Sequence, residues 1–317
     1  MASSFSAHVS VAVRAKIFVF VGGLVSDPGG NHVRLVWLCA VAVAVVACSK
    51  KEAVSVAVPD AGPPAKPKVV RNPKPTLGPT GTVSGTVRFS GETPKPMNIN
   101  FGGAEECKPL MDDPLVRDVE VHDGGLSDVF VYVTEGLRPG VTYPVPAETL
   151  VINNLGCRFT PTVFGLRAGQ KLEMVNSDPV LHTFSSRATQ NIFNYSVIGA
   201  GKKFETVFKS AEVMALLLCE VHPWMNSYVG VMEHPFFDTT DSQGHFSLGG
   251  LEPGSYLIEA WHRALPAKQV EVVVSAGADA KAEFQFSQTE LPAPNTRRRL
   301  TSRKGHLGWL DSTGDTP

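Results

Sequence analysis

Charge is scarce in this chain. Only 19% of its 317 residues are Asp, Glu, Lys or Arg, and they balance to a formal net charge of −1. That excludes the strongly basic face on which nucleic-acid binding depends, so no nucleic-acid partner is expected. Long amphipathic helical periods are missing too. So are a Ser-His-Asp arrangement, a paired-carboxylate pattern and a phosphate-cradling Gly loop, which speaks against an enzyme. What is plentiful is Gly (29) and Pro (24), set between short apolar segments rich in Val, Phe and Thr. Such spacing predicts an all-β protein, a sandwich or barrel.

Alternation of apolar and polar residues marks the strands, as in Thr82 to Phe89. Further strands are read at Val129–Val133, Leu150–Ile152, Thr162–Leu166, Lys171–Val175, Lys203–Lys209, Ala215–Cys219 and Tyr228–Met232. Segment 92–125 reads mainly as loops. After Met232 the character shifts to a run of about four strands: His245–Leu248, Tyr256–Trp261, Gln269–Val274 and Ala280–Phe286.

The start of the chain reads as an export signal. Arg34 precedes an uncharged Val, Ala and Leu run from Leu35 to Ala47, too short to span a bilayer comfortably. It ends Val45-Val46-Ala47-Cys48-Ser49, which resembles a bacterial lipobox and implies lipidation at Cys48. A membrane partner through that lipid anchor follows. So does a place in the periplasm or cell envelope, with Ser49 compatible with the outer membrane. Residues 1–32 fit poorly ahead of such a signal, and a true start near Val33 or Val36 is expected. Residues 49–80 hold seven prolines and five lysines and read as an extended tether. Residues 288–317 read as a basic, unstructured tail.

Of five cysteines, Cys39 and Cys48 belong to the signal region, leaving Cys107, Cys157 and Cys219. Either Cys107 pairs with Cys157 and Cys219 is left for another task, or Cys107 and Cys157 are separate buried thiols. Sequence alone does not decide connectivity.

Cys219 opens the most specific stretch in the chain, Cys219-Glu220-Val221-His222-Pro223-Trp224-Met225. A thiol, an imidazole and a thioether recur at three-residue steps after the apolar strand ending Leu218. Pro223 makes this a loop, on which the three side chains can converge. These are the donor types of a mononuclear blue-copper site, which needs one further His. His182, after Asn176-Ser177-Asp178-Pro179, is the candidate. His122, His234 and His262 rank below it as structural or surface residues. Met is a poor zinc ligand, and closed zinc sites usually recruit more Cys or His.

Asn176 to Phe184 followed by Cys219 to Met225 resembles the cupredoxins, small blue copper proteins such as plastocyanin, azurin and amicyanin. The short Cys-x-x-His-x-x-Met loop is most similar to that of amicyanin. The resemblance implies a Greek-key β-sandwich over 81–233 holding one type-1 copper ion. His182 and His222 would then supply imidazoles, Cys219 the thiolate and Met225 the axial thioether. It further implies a single-electron carrier whose partner is a redox protein, such as a c-type cytochrome or a periplasmic dehydrogenase. The exposed ring edge of His222 is the expected exit. Thr183 stands where cupredoxins commonly place an Asn that ties the two ligand loops. Residues 234–287 resemble a carboxypeptidase regulatory-like domain, a small sandwich of transthyretin or immunoglobulin type. The pairing of both is similar to bacterial exported proteins labelled methylamine-utilisation proteins. Alternatives are copper storage or delivery through the same ligands, and a metal-free adhesion sandwich.

Overall fold

The computed structural model describes residues 79–292. The signal, the Cys48 anchor, nearly all of the tether and most of the tail lie outside the described residues. Within them the protein is all-β, with only two short 3₁₀ segments, and no described helix is long and apolar enough to cross a membrane.

Two sandwiches share the chain. In the first, strand Gly81–Ser90 lies between His245–Leu251, antiparallel, and Asp279–Ser287, parallel to it from Thr82 to Ser90. The facing sheet runs Phe237–Thr239, Phe130–Glu135, Gly254–His262 and Leu265–Val274. Val83, Val87 and Phe89 point inward from the first strand and meet Val131, Val133, Ile258, Phe284 and Phe286 in one core. That alternation is the period-2 pattern read from the sequence.

The pairing cuts the chain differently from the expected boundary at 233/234. Residues 81–90 and 130–135 share their sheets and core with 237–287. The second sandwich is thus an excursion that leaves after Glu135 and returns at Phe237. The reason is physical: four strands from 245 onward leave open edges, and the first strand of the described chain closes one of them. Alternation reveals which face of a strand is buried but not which strand lies beside it.

The excursion builds the sandwich that carries the candidate site. One sheet orders Lys202–Val207, Lys171–Asn176, Leu150–Asn154 and Phe159–Thr160. The other orders Phe193–Ile198, Leu181–Ser186, Glu212–Leu218, Asn226–Met232 and Val163–Arg167. Ile152, Leu172, Met174, Phe184, Leu217 and Val229 fill the space between them. A third cluster, Phe130, Tyr132, Val163 and Met232, packs the two sandwiches together. Glycine is required there: a Cβ at Gly230 would lie 2.4 Å from the Phe130 ring. Arg167, buried, donates to the carbonyls of Tyr143, Pro144, Met232 and Glu233, pinning the two chain crossings between sandwiches.

Segment 92–125 is mainly loop, as its sequence suggests, with a few short elements. It contains a short ladder of Met97–Asn98 with Leu115–Val116, the 3₁₀ helix Glu105–Leu110, and the pair Val121–His122 and Gly125–Leu126. Cys107, on that 3₁₀ helix, forms a disulfide with Cys157. Cys219 is the free cysteine among the described residues, and it is buried.

Candidate metal centre

Two chain segments meet at one end of the second sandwich. His182 is the second residue of strand Leu181–Ser186. Cys219, His222 and Met225 lie on the turn from Glu212–Leu218 to Asn226–Met232. The turn is tight because Met225 N–H donates to the His222 carbonyl at 2.9 Å and Cys219 N–H donates to the Met225 carbonyl at 3.1 Å. Pro223 has no N–H to place in such a loop.

The donor atoms converge. His182 Nδ1 and His222 Nδ1 are 3.0 Å apart, and Cys219 Sγ lies 3.9 Å from the first and 3.6 Å from the second. A point equidistant from these three atoms is about 2.1 Å from each, within the roughly 2.0–2.3 Å that zinc, a first-row ion, keeps to imidazole nitrogen and thiolate sulfur. Met225 is buried in the same core as Cys219. His182, Cys219, His222 and Met225 are each at most 1% exposed.

Hydrogen bonds fix the His182 ring and the Cys219 sulfur. His182 Nε2 lies 2.9 Å from Asp178 Oδ2, a carboxylate that fixes the ring with Nδ1 toward the triangle. The backbone N–H groups of Gly156 and Cys157 donate to the same carboxylate, each at 2.8 Å. Both residues sit in the left-handed region, with φ of +61° and +49°, which turns their N–H groups toward one point. Burial opposes ionisation of Asp178, but His182 and these two N–H groups hold its pKa below the usual carboxylate range. Burial likewise works against a charged His182, yet Asp178 and Cys219 outweigh it and raise the pKa of the ring.

Burial alone would push the Cys219 thiol up. Hydrogen bonds from His182 and His222 and from the N–H groups of Thr183 and Val221 outweigh it, and the pKa falls to about 5. The folded chain therefore presents a thiolate at neutral pH, the form of cysteine that soft cations take.

Thr183 ties the ligand loops as the usual Asn is expected to. Its N–H donates to Cys219 Sγ at 3.4 Å, and its hydroxyl oxygen accepts from Glu220 N–H at 2.6 Å. The surroundings of His222 depart from expectation. Its ring is buried, with Nε2 3.4 Å from Cys107 Sγ and 3.6 Å from a Glu106 carboxylate oxygen. Trp224 tilts beside it at 5.2 Å between ring centroids and donates to the Cys157 carbonyl at 3.0 Å, while Phe101 abuts Trp224. The 3₁₀ helix and its disulfide thus cover the ring edge that an exposed electron exit requires.

The remaining histidines lie elsewhere. His122 is exposed on its short strand. His234 Nδ1 accepts from Phe236 N–H and His262 Nδ1 from Ala264 N–H. Burial, joined by Arg167, pulls the His234 pKa down to about 4, and burial with Arg263 pulls that of His262 down to about 3. Both are neutral structural residues. In the unfolded chain they bind protons near 6.5, the ordinary histidine value. Between that value and their folded ones the unfolded state holds more protons, so stability falls as pH drops. Urea unfolding at pH 7 and pH 5 should show a loss on the order of 2 kcal/mol from His262. His262→Asn, which keeps an acceptor for Ala264, should remove that share of the decline.

Sequence reasoning had not assigned Asp178 a role. The signal was its place four residues before His182, across Pro179. Asp178→Asn should weaken metal affinity about 10- to 100-fold while leaving all first donors in place, measured by competition with a chromophoric chelator.

No family model matches the sequence, and no curated protein matches it. Solved structures do resemble it. A purple cupredoxin from Nitrosopumilus maritimus is 23% identical over 26% of this chain and 99% of its own, with a TM-score of 0.24. Amicyanin from Paracoccus versutus is 18% identical over 32% of this chain and 97% of its own, with a TM-score of 0.25. A copper-containing nitrite reductase from Thermus scotoductus SA-01 is 20% identical over 32% of this chain and 26% of its own, also with a TM-score of 0.25. At such TM-scores the likeness decides nothing about the site, whose case rests on its own atoms.

Proposed function

We propose that this protein holds one copper ion with His182, Cys219, His222 and Met225, and serves as a single-electron carrier. The observation that carries this reading is the triangle of two Nδ1 atoms and one thiolate sulfur, buried and spaced for one small ion. Bound there, copper supplies a reversible one-electron couple. The chain does the rest. Asp178 and Thr183 fix the donors before any ion arrives, so little needs to rearrange. The sandwich core and the 97–116 cover keep water out. No donor is solvent-exposed, which favours retaining the ion over handing it to an acceptor. In this reading the chain is lipid-anchored through Cys48 at the cell envelope, and its partner is another redox protein.

Titration of the purified chain with Cu(II) tests the reading. An intense visible thiolate-to-copper band saturating at one equivalent is expected. A colourless protein that takes up Zn(II) equally well would overturn it.

A further inference from the structure

The His222 ring faces a different donor set with each nitrogen. Nδ1 belongs to the triangle with His182 and Cys219. Nε2 lies 3.4 Å from Cys107 Sγ, and one donor atom from each of Cys107, Cys157 and His222 falls within 4.8 Å of the others. Both cysteines are fully buried. As a disulfide their sulfurs are spent on each other. As thiolates they would form, with an imidazole, the soft S₂N set that selects Cu(I) or a similar ion.

We propose that the Cys107–Cys157 disulfide is the closed form of a second soft-metal site, which opens on reduction and takes one Cu(I) on two thiolates and His222 Nε2. The reductant is a dithiol of the thiol–disulfide exchange class. It gives two electrons and two protons, the Cys107–Cys157 S–S bond breaks, and the dithiol closes to its own disulfide. Metal binding then releases the two thiol protons to solvent. Where Nδ1 is already engaged, Nε2 gives up its hydrogen as well and the ring bridges both sites.

Access follows from the local fold. Cys107 sits mid-way along a six-residue 3₁₀ helix whose neighbours Glu105, Glu106 and Lys108 are exposed. Besides the disulfide, the segment is held by a two-residue ladder, Met97–Asn98 on Leu115–Val116, by Ile99 N–H on the Pro114 carbonyl, by Arg158 donating to the Asp113 and Leu115 carbonyls, and by Phe101, Leu110 and Met111 packed on the core. With only two-residue strands and no place in the larger sheets, the segment is the kind that opens locally before the sandwich does. The site has two sulfurs of its own and shares only His222 with the carrier centre.

The test is a count of ions per chain by native mass spectrometry, with Cu(I) supplied anaerobically as its acetonitrile complex. The full chain carries Cys39→Ser and Cys48→Ser throughout, so that Cys107, Cys157 and Cys219 are its only cysteines. The disulfide form should bind one ion. After reduction with tris(2-carboxyethyl)phosphine and removal of the reagent, the chain should bind two. The double variant Cys107→Ser with Cys157→Ser should keep the count at one under both conditions. One ion both before and after reduction overturns the second site and leaves the carrier reading standing. No ion before reduction and one after counts against the carrier reading and still supports this site.

Discussion

Cys219→Ser should abolish the visible thiolate-to-copper band and lower copper affinity by more than about 100-fold. Losing a residue that merely orients a ligand costs about 10- to 100-fold, and Cys219 is itself a donor. Serine keeps the size and the contact with Thr183 N–H but offers a hydroxyl that stays protonated at neutral pH. Protein stability should change little by comparison. The expected outcome is a folded, colourless protein by circular dichroism and visible absorption. A Cys219→Ser variant that kept the colour would place the thiolate donor elsewhere.

The second large effect concerns stability. Replacing both Cys107 and Cys157 by serine should lower the unfolding free energy of the metal-free chain by about 4 kcal/mol, from the loop entropy of a crosslink with a sequence separation of 50. Urea titration measures it directly. The loss should be accompanied by solvent exposure of Trp224, because Phe101 and the Cys157 carbonyl, which now hold that ring, both depend on the stapled segment. A red shift in Trp fluorescence reads that exposure.

Much of the fold was legible because its strands are half-buried. Thr82 to Phe89 and Ala280 to Phe286 alternate cleanly, and both are strands. The strand that bears His182 was not legible. From His182 to Ser186 every residue is buried, polar and apolar alike. No period of two survives there, because the site and the core press on the two faces. Non-local pairing was hidden for another reason: nothing in residues 81–90 says that their parallel partner lies almost 200 residues on. The ligand loop was legible because three donor types at fixed steps are chemically specific. The cover over His222 was not, because it depends on where a disulfide pins an otherwise featureless segment. Thr183 departs from the Asn expected at its place, yet its hydroxyl makes the tie between the ligand loops.

In the proposed centre two imidazole nitrogens and one thiolate sulfur share a single copper ion. X-ray absorption at the copper edge, on the chain loaded with one equivalent, addresses it most directly. One short copper–sulfur distance together with two imidazole nitrogens is expected, with loss of the sulfur shell in Cys219→Ser. A spectrum fitted by nitrogen and oxygen alone, with no short sulfur contact, would contradict it.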